Sequence, residues 1–227
     1  MNTTHIIFDL DGTLVDTIED IALAMNRALA AHGFTELPLE SYPALVGWGI
    51  HRLAEQALAK QPVRPDLKEL PSADPAMADR IAQDALKNYD EEPLRYSKPY
   101  PGIKELLDIL VDKNLVLAVL TNKPDPVARQ VVAGLFPHIP FALVRGDLPG
   151  GQIKKPDPAL TRDVMEVIGA PPDHTLFVGD SVVDVQTARN VGCPIVGVAW
   201  GFRGPEELVA AGADYIIHEA KELLAIL

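Results

Sequence analysis

Short runs of hydrophobic residues alternate with stretches of helical periodicity along most of the chain. Nearly unbroken apolar runs of this length are typical of strands that are covered on both faces of a sheet. The predicted strands run from His5 to Leu10, Leu115 to Leu120, Phe141 to Val144, Thr175 to Val178, Ile195 to Ala199 and Asp214 to Ile217. The predicted helices run from Gly102 to Lys113, Asp125 to Leu135, Pro158 to Ile168, Val182 to Val191, Pro205 to Ala211 and Lys221 to Leu227. This alternation predicts an α/β fold built on a doubly wound parallel sheet.

One long stretch after the first strand breaks the alternation. It contains no strand pattern and shows four helical ones, from Thr17 to Ala31, Leu39 to Leu45, Gly49 to Ala59 and Pro75 to Tyr89. We therefore expect an α-helical domain inserted over residues 17–92. The α/β core domain would then consist of residues 1–16 and 93–227.

The composition narrows the class of protein. The chain has 227 residues, 48% of them hydrophobic, which is enough for a buried core, and its single cysteine, Cys193, is expected to be a small core residue. The formal net charge of −12 argues against nucleic acid and anionic membranes as partners, because both bind clustered Lys and Arg. No apolar run approaches the roughly 20 residues of a membrane span, and the N-terminus lacks a signal-peptide pattern. We expect a cytoplasmic protein with a small-molecule ligand, either a monomer or a homodimer.

A pair of acids follows the first predicted strand. Asp9 and Asp11 are two residues apart, so on a strand their side chains share a face and can point at one position. Carboxylates this close repel each other unless a cation or a proton holds them. Gly12 permits a sharp turn there, and Thr13 follows it. Taken alone, the motif also fits an ordinary acidic turn.

Three further polar groups lie at predicted strand ends or before helices. Thr121 and Asn122 can bind phosphate oxygens, and Lys155, next to a proline, can neutralise a phosphate. Asp180 and Asp184 are four residues apart, so they share one side of a helix turn and offer the oxygen ligands that suit Mg²⁺. Each group has an ordinary alternative, namely a turn, a solvated loop or a helix N-cap. Ligands of parallel sheets bind beyond the carboxyl ends of the strands, where these groups are expected.

The order of the four groups resembles that of the haloacid dehalogenase superfamily. The likeness covers nearly the whole chain, and the helical insertion looks like the α-helical cap that this superfamily places after its first motif. The resemblance implies that Asp9 attacks phosphorus and forms an aspartyl-phosphate. It implies that Asp11 protonates the leaving alcohol and then takes a proton from the attacking water.

The resemblance also assigns the metal and phosphate ligands. It implies that Mg²⁺ is held by Asp9, Asp11 (in this family through its backbone carbonyl) and Asp180, with Asp184 behind them. Mn²⁺ or Co²⁺ could substitute, because oxygen ligands discriminate poorly among these ions. The phosphate would be bound by the turn and motif residues, and Thr13 would support Asp9 and Asp11 by hydrogen bonding. The implied phosphate-binding residues are Gly12, Thr13, Thr121, Asn122 and Lys155, with Lys154 left open as an alternative to Lys155.

Within the superfamily, an acid at the Asp11 position favours phosphate-ester cleavage. The stretch from Asp9 to Asp16 and the segment Tyr100-Pro101-Gly102 resemble the phosphoglycolate phosphatase subfamily. Trp48 departs from that subfamily, which often has Asn there. Related enzymes act on other sugar and metabolite phosphates, and a β-phosphoglucomutase-like isomerase would share the same core. A non-enzymatic phosphoacceptor module is disfavoured by the helical insertion and by Asp11.

The insertion contains one candidate segment for substrate recognition. Two glycines flank an aromatic residue, and potential anion binders follow. The resemblance implies that the cap closes over the site and reads the substrate. We therefore name Gly47, Trp48 and Arg52 as candidate substrate contacts, while a helix–helix turn with Trp48 packed inside the insertion remains the alternative.

Overall fold

The structure, a computed structural model, describes residues 2–62, 75–148 and 153–227. The chain forms two compact units. The core unit consists of Met1–Asp16 and Lys98–Leu227, and the helical unit consists of Thr17–Ser97.

The core unit is built on a six-stranded parallel sheet. The strands of the core unit are β1 His5–Phe8, β2 Val15–Asp16, β3 Lys98–Pro99, β4 Val116–Pro124, β5 Leu143–Asp147, β6 Thr175–Gly179, β7 Ile195–Val198 and β8 Tyr215–Ile217. The strand order in the sheet is β5-β4-β1-β6-β7-β8, so the first strand lies in the middle. Strands β2 and β3 form a short antiparallel ribbon where the chain leaves the core unit and returns to it. This architecture confirms the predicted α/β fold with a doubly wound parallel sheet.

Helices connect the strands and bury their apolar sides against the sheet. The central strands β1 and β6 are almost entirely buried, as unbroken hydrophobic runs require, and Cys193 lies in the same core as a buried free thiol. The helices are α1 Ile18–Ala31, α2 Ile50–Ala59, α3 Pro75–Glu91, α4 Ile103–Asp112, α5 Asp125–Leu135, α6 Pro158–Ile168, α7 Val182–Val191 and α8 Pro205–Ala211, with 3₁₀ turns at Leu39–Ala44, Pro172–His174 and Ala220–Ala225.

Several element boundaries differ from the predictions. Strand β4 continues beyond Leu120 to Pro124, since its polar end still pairs with β5, and hydrophobicity alone does not reveal that pairing. Strand β5 begins at Leu143, where pairing with β4 starts, and not at Phe141. The segments predicted as helices from Leu39 and from Lys221 are 3₁₀ turns. In the first of them Pro43 removes a backbone donor, which favours a short turn.

The helical unit packs α1 against α3 and α2 against α3. Among the described residues of this unit, the buried charged one is Asp20, near the start of α1. Asp20 accepts hydrogen bonds from the backbone N–H groups of Tyr96 and Ser97 and from the Ser97 hydroxyl, at 2.6 to 3.1 Å. These bonds tie the start of the unit to its end. In the described ranges, no helix has the length and apolar composition that crossing a membrane would require.

Candidate active site

Three carboxylates meet at the carboxyl ends of the central strands. Asp9 follows β1 and its N–H donates to the carbonyl of Val178 in the neighbouring strand β6, which places it beside Asp180. One oxygen from each of Asp9, Asp180 and Asp184 lies within 4.8 Å of the others. Asp180 and Asp184 are each only 2% exposed. We call Asp9, Asp180 and Asp184 the acid cluster.

Lys155 is buried against the acid cluster. Its Nζ lies 2.8 Å from Asp9 Oδ1 and 2.7 Å from Asp184 Oδ1. Burial raises the pKa of Asp9 to about 7, and the positive charge of Lys155 opposes that shift. Burial disfavours the charged form of Lys155, but Asp184 and Asp9 outweigh it and raise the pKa of Lys155 above its ordinary value. The lysine therefore stays charged and bridges two of the three acids.

Asp180 is packed tightly between two glycines. A Cβ on Gly12, whose φ is +84°, would lie 2.3 Å from Asp180 Oδ2, and a Cβ on Gly201 would lie 2.2 Å from Asp180 Cβ. The N–H of Phe202 donates to Asp180 Oδ2 at 2.8 Å. Burial, with the charges of Asp184 and Asp9, raises the pKa of Asp180 well above its ordinary value. Any side chain at either glycine would displace this carboxylate.

Thr13 hydrogen bonds differently from the expectation. Its hydroxyl donates to Asp180 Oδ1 at 3.5 Å, whereas we expected it to support Asp9 and Asp11. The reason is the turn after β1, in which the N–H of Thr13 bonds back to the carbonyl of Leu10. That turn carries the Thr13 side chain toward the end of the adjacent strand β6.

Asp184 is held by the first turn of α7. Its Oδ2 accepts from the N–H of Ser181 at 3.1 Å and from the Ser181 hydroxyl at 2.6 Å, which forms a capping box. Its Oδ1 contacts Lys155. Asp184 therefore caps α7 with one oxygen and contacts Lys155 with the other. Both interpretations of this motif, as a helix N-cap and as part of the site, are correct.

The second of the four motifs, Thr121 with Asn122, lies at the end of β4. Thr121 is buried, and its hydroxyl oxygen accepts from the N–H of Lys123 at 3.2 Å. The side-chain amide of Asn122 accepts from the N–H of Lys155 at 2.9 Å and donates to the Lys155 carbonyl at 3.1 Å. Asn122 therefore holds the backbone on both sides of the Lys155 side chain. This contact joins the second motif to the third, which contains Lys155.

Asp11 is not one of the three acids of the acid cluster, and it pairs with Lys123. The Nζ of Lys123 lies 2.9 Å from Asp11 Oδ1 and 3.2 Å from Asp11 Oδ2. The Lys123 side chain is 1% exposed, while that of Asp11 is 17% exposed. The two predicted acids of the first motif thus have different lysine partners, Lys155 for Asp9 and Lys123 for Asp11.

The chain is similar to known proteins in sequence and in fold. Residues 6–198 match the family model described as haloacid dehalogenase-like hydrolase. The chain belongs to this family. It is 33% identical to the phosphoglycolate phosphatase of Haemophilus influenzae strain Rd over 234 residues, covering 100% of both chains. It is also 33% identical to the phosphoglycolate phosphatase of Pseudomonas syringae pv. tomato, covering 96% of this chain and 78% of the relative.

A solved structure shows the same fold. A Lactobacillus delbrueckii subsp. bulgaricus protein, provisionally assigned as a phosphoglycolate phosphatase, superposes with a TM-score of 0.89 at 32% identity, covering 100% of this chain and 99% of the other. These findings confirm the predicted resemblance to phosphoglycolate phosphatases. They also confirm that this haloacid dehalogenase-like hydrolase is a phosphoric monoester hydrolase.

The structure brings together most, but not all, of the residues named from the sequence. In this hydrolase Lys155 contacts the acid cluster through Asp9 and Asp184. Gly47, Trp48 and Arg52 belong to the helical unit, where Arg52 makes a 2.7 Å surface ion pair with Glu55. Their part in substrate recognition stays a prediction.

Sequence reasoning missed two contacts of the site. Asn122 was expected to bind phosphate oxygens, and its side-chain hydrogen bonds to the backbone of Lys155 were not predicted. The contact of Lys123 with Asp11 was not predicted either. The available signal was that Lys123 directly follows Thr121 and Asn122 just after a predicted strand, where a lysine that is buried has to be paired.

The acid cluster fits a divalent cation. Asp9 Oδ1 is buried and lacks a hydrogen bond of good geometry from any described residue, although Lys155 Nζ lies 2.8 Å away. The site described above contains four carboxylates and two ammonium groups. They belong to Asp9, Asp11, Asp180, Asp184, Lys123 and Lys155. When all are ionised, the excess of two negative charges equals the charge of one divalent ion. Carboxylate oxygens are also the ligands that Mg²⁺ prefers.

Proposed function

We propose that this hydrolase is a Mg²⁺-dependent phosphatase that cleaves a small phosphorylated metabolite through an aspartyl-phosphate on Asp9. The observation that carries the proposal is the separation of two acids of one motif, with Asp9 in the acid cluster and Asp11 outside it. One acid is thereby available as a nucleophile and the other for proton transfer.

Asp9 is suited to attack on phosphorus. Its carboxylate is 12% exposed, so it is accessible at the strand end, and Lys155 beside it supplies positive charge for an incoming phosphoryl group. In the first half-reaction, an Asp9 oxygen bonds phosphorus while the bond from phosphorus to the substrate oxygen breaks. Thr121 and the backbone N–H of Asn122 would bind the non-bridging oxygens, with the turn at Gly12 and Thr13 beside them.

Asp11 is suited to proton transfer, because its carboxylate is partly exposed and lies outside the acid cluster. It would donate a proton to the departing alkoxide, which leaves as an alcohol. In the second half-reaction, Asp11 would take a proton from a water as that water bonds phosphorus and the bond to Asp9 breaks, which releases phosphate.

Asp9 and Asp180 would hold the metal ion together with the backbone carbonyl of Asp11. Both Asp184 oxygens already have protein partners, which supports a role for Asp184 in fixing Lys155 behind the metal ligands. The ion would screen the negative charges of nucleophile and phosphate from each other.

We propose phosphoglycolate as the substrate to test first. Two relatives named phosphoglycolate phosphatase are 33% identical to this chain, and the matches cover 96% and 100% of it. We further propose that the helical unit serves as the cap that reads the substrate, through Gly47, Trp48 and Arg52.

The test is phosphate release from a panel of esters that includes 2-phosphoglycolate, hexose phosphates and nucleotides. Turnover should require Mg²⁺, stop with EDTA and fall by about 10³-fold or more in Asp9→Asn. A ranking with another ester first would replace phosphoglycolate as the substrate. Transfer of phosphate between positions of a sugar, without net release, would overturn the phosphatase proposal in favour of an isomerase.

A further inference from the structure

The buried ion pair between Lys123 and Asp11 has a geometry that bears on catalysis. The Lys123 ammonium contacts both oxygens of the Asp11 carboxylate, at 2.9 and 3.2 Å. Contact with both oxygens restricts rotation of the carboxyl group about its bond to Cβ. Because the lysine is 1% exposed and Asp11 is 17% exposed, the carboxylate keeps an open side while the ammonium lies beneath it.

The pair also keeps the two acids of the first motif apart. Asp9 and Asp11 would compete for one cation if Lys155 were the sole ammonium nearby. Lys155 bridges Asp9 and Asp184, and Lys123 contacts Asp11. Asp11 is thus held by its own positive charge at a place outside the acid cluster.

Lys123 also links Asp11 to the phosphate-binding motif. Its backbone N–H donates to the hydroxyl oxygen of Thr121 at 3.2 Å, while its side chain contacts Asp11. Strands β1 and β4 are paired neighbours, with Phe8 opposite Val119. Thr121 lies within β4, and Asp11 lies in the turn that directly follows β1. Lys123 therefore fixes the position of Thr121, a proposed phosphate ligand, relative to that of Asp11, the proposed acid.

We propose that Lys123 is a positioning residue that orients Asp11 toward the leaving-group oxygen. This inference rests on the proposed phosphatase function, and it gives Lys123 a specific role through its contact with Asp11. Lys123 would act on the reaction only through Asp11. Its loss should therefore harm the step in which the leaving group is protonated and spare reactions that need no such proton.

The experiment compares kcat/KM for two kinds of ester in the full-length protein with Mg²⁺. Alkyl phosphates have poor leaving groups that need a proton, whereas 4-nitrophenyl phosphate releases a stable phenolate. The ratio kcat/KM reports the steps through formation of the aspartyl-phosphate, so the later hydrolysis does not obscure the comparison.

We expect Lys123→Met to lower kcat/KM for the alkyl ester by about 10- to 100-fold and for 4-nitrophenyl phosphate by about threefold or less. Lys123→Arg should restore much of the alkyl activity, because a guanidinium also contacts both oxygens of a carboxylate. Lys113→Met, at an exposed lysine, is the matched control and should change neither value.

A double variant tests whether Lys123 acts through Asp11. Asp11→Asn should show the same leaving-group pattern, and adding Lys123→Met to it should cause little further loss. Equal losses for both esters in Lys123→Met, or losses that multiply in the double variant, would overturn the inference. If Lys123→Met does not fold, kcat/KM for the two esters is measured in Lys123→Arg and Lys123→Gln instead. The same leaving-group dependence then supports or overturns the role of Lys123.

The outcomes separate this inference from the proposed function. If the unaltered protein releases phosphate from neither ester, the phosphatase proposal is wrong and the role of Lys123 falls with it. If it releases phosphate in an Asp9-dependent way and Lys123→Met shows no leaving-group dependence, only the role of Lys123 is wrong.

Discussion

The core unit and the helical unit place their charged groups differently. In the core unit, buried lysines and aspartates meet at one edge of the sheet, with Lys123, Lys155, Asp180 and Asp184 all below 5% exposed. Among the described residues of the helical unit, the buried polar ones are Thr17, Asp20 and Ser97, at the two ends of the unit. Its ion pairs, such as Arg52–Glu55, lie at the surface.

This difference has an energetic meaning. Burying a charge costs several kcal/mol unless a partner and hydrogen bonds compensate, whereas an exposed ion pair contributes about 0–1 kcal/mol. A protein keeps clustered buried charges at a cost to its stability, so their place in the core unit points to a reaction. The surface charges of the helical unit can change with little effect on folding, which is compatible with the substrate-reading role that we propose for this unit.

The largest effect on stability is expected at Lys155. Lys155→Met leaves Asp9 and Asp184 buried without their shared cation, so we expect a loss of about 3–5 kcal/mol in the free energy of unfolding. Urea denaturation without metal measures it. Lys154→Met, one residue away, should cost less than about 1 kcal/mol. Equal costs at the two positions would mean that the Lys155 contacts do not stabilise the core.

Metal addition should give the next largest effect. Binding to the acid cluster relieves repulsion in the folded state alone, so Mg²⁺ at a hundred times its dissociation constant should raise the free energy of unfolding by about 2.7 kcal/mol. Urea denaturation with Mg²⁺ and with EDTA provides the measurement. The increase should disappear in Asp180→Asn, and its persistence there would place the ion elsewhere.

Asp20 should show a smaller but clear effect in the helical unit. Asp20→Asn replaces an acceptor oxygen that serves Tyr96 and Ser97 with a donor, so we expect a loss of about 1–3 kcal/mol. Thermal and urea unfolding measure it. Asp79→Asn, in a surface pair with His51, is the matched control and should cost less than about 0.5 kcal/mol. Equal losses would show that the buried position of Asp20 gives no advantage.

Arg52 should have the smallest effect on stability. Its pair with Glu55 is exposed, so Arg52→Gln should change the free energy of unfolding by less than about 0.5 kcal/mol. If Arg52 contacts substrate, KM for the preferred ester rises severalfold while kcat stays similar. Glu55→Gln breaks the same surface pair and should leave KM unchanged. An unchanged KM in Arg52→Gln would remove this residue from the substrate contacts.

Sequence reasoning predicted the elements of the core well and their edges less well. The helices Asp125–Leu135, Pro158–Ile168 and Val182–Val191 have the predicted bounds, because helical periodicity and start signals are local. The predicted end of β4 was wrong by four residues. The polar residues after Leu120 belong to the strand because they pair with β5. Propensity does not report such pairing.

The sequence by itself determined the alternation of strands and helices, the four motifs and their order along the chain. Local pattern and turn chemistry are enough for these features. Only the tertiary structure decided which atoms meet: Asn122 with the backbone of Lys155, Thr13 with Asp180, and Lys123 with Asp11. Those partners lie 33, 167 and 112 residues apart. Their contacts follow from the register of paired parallel strands, which depends on packing across the whole sheet.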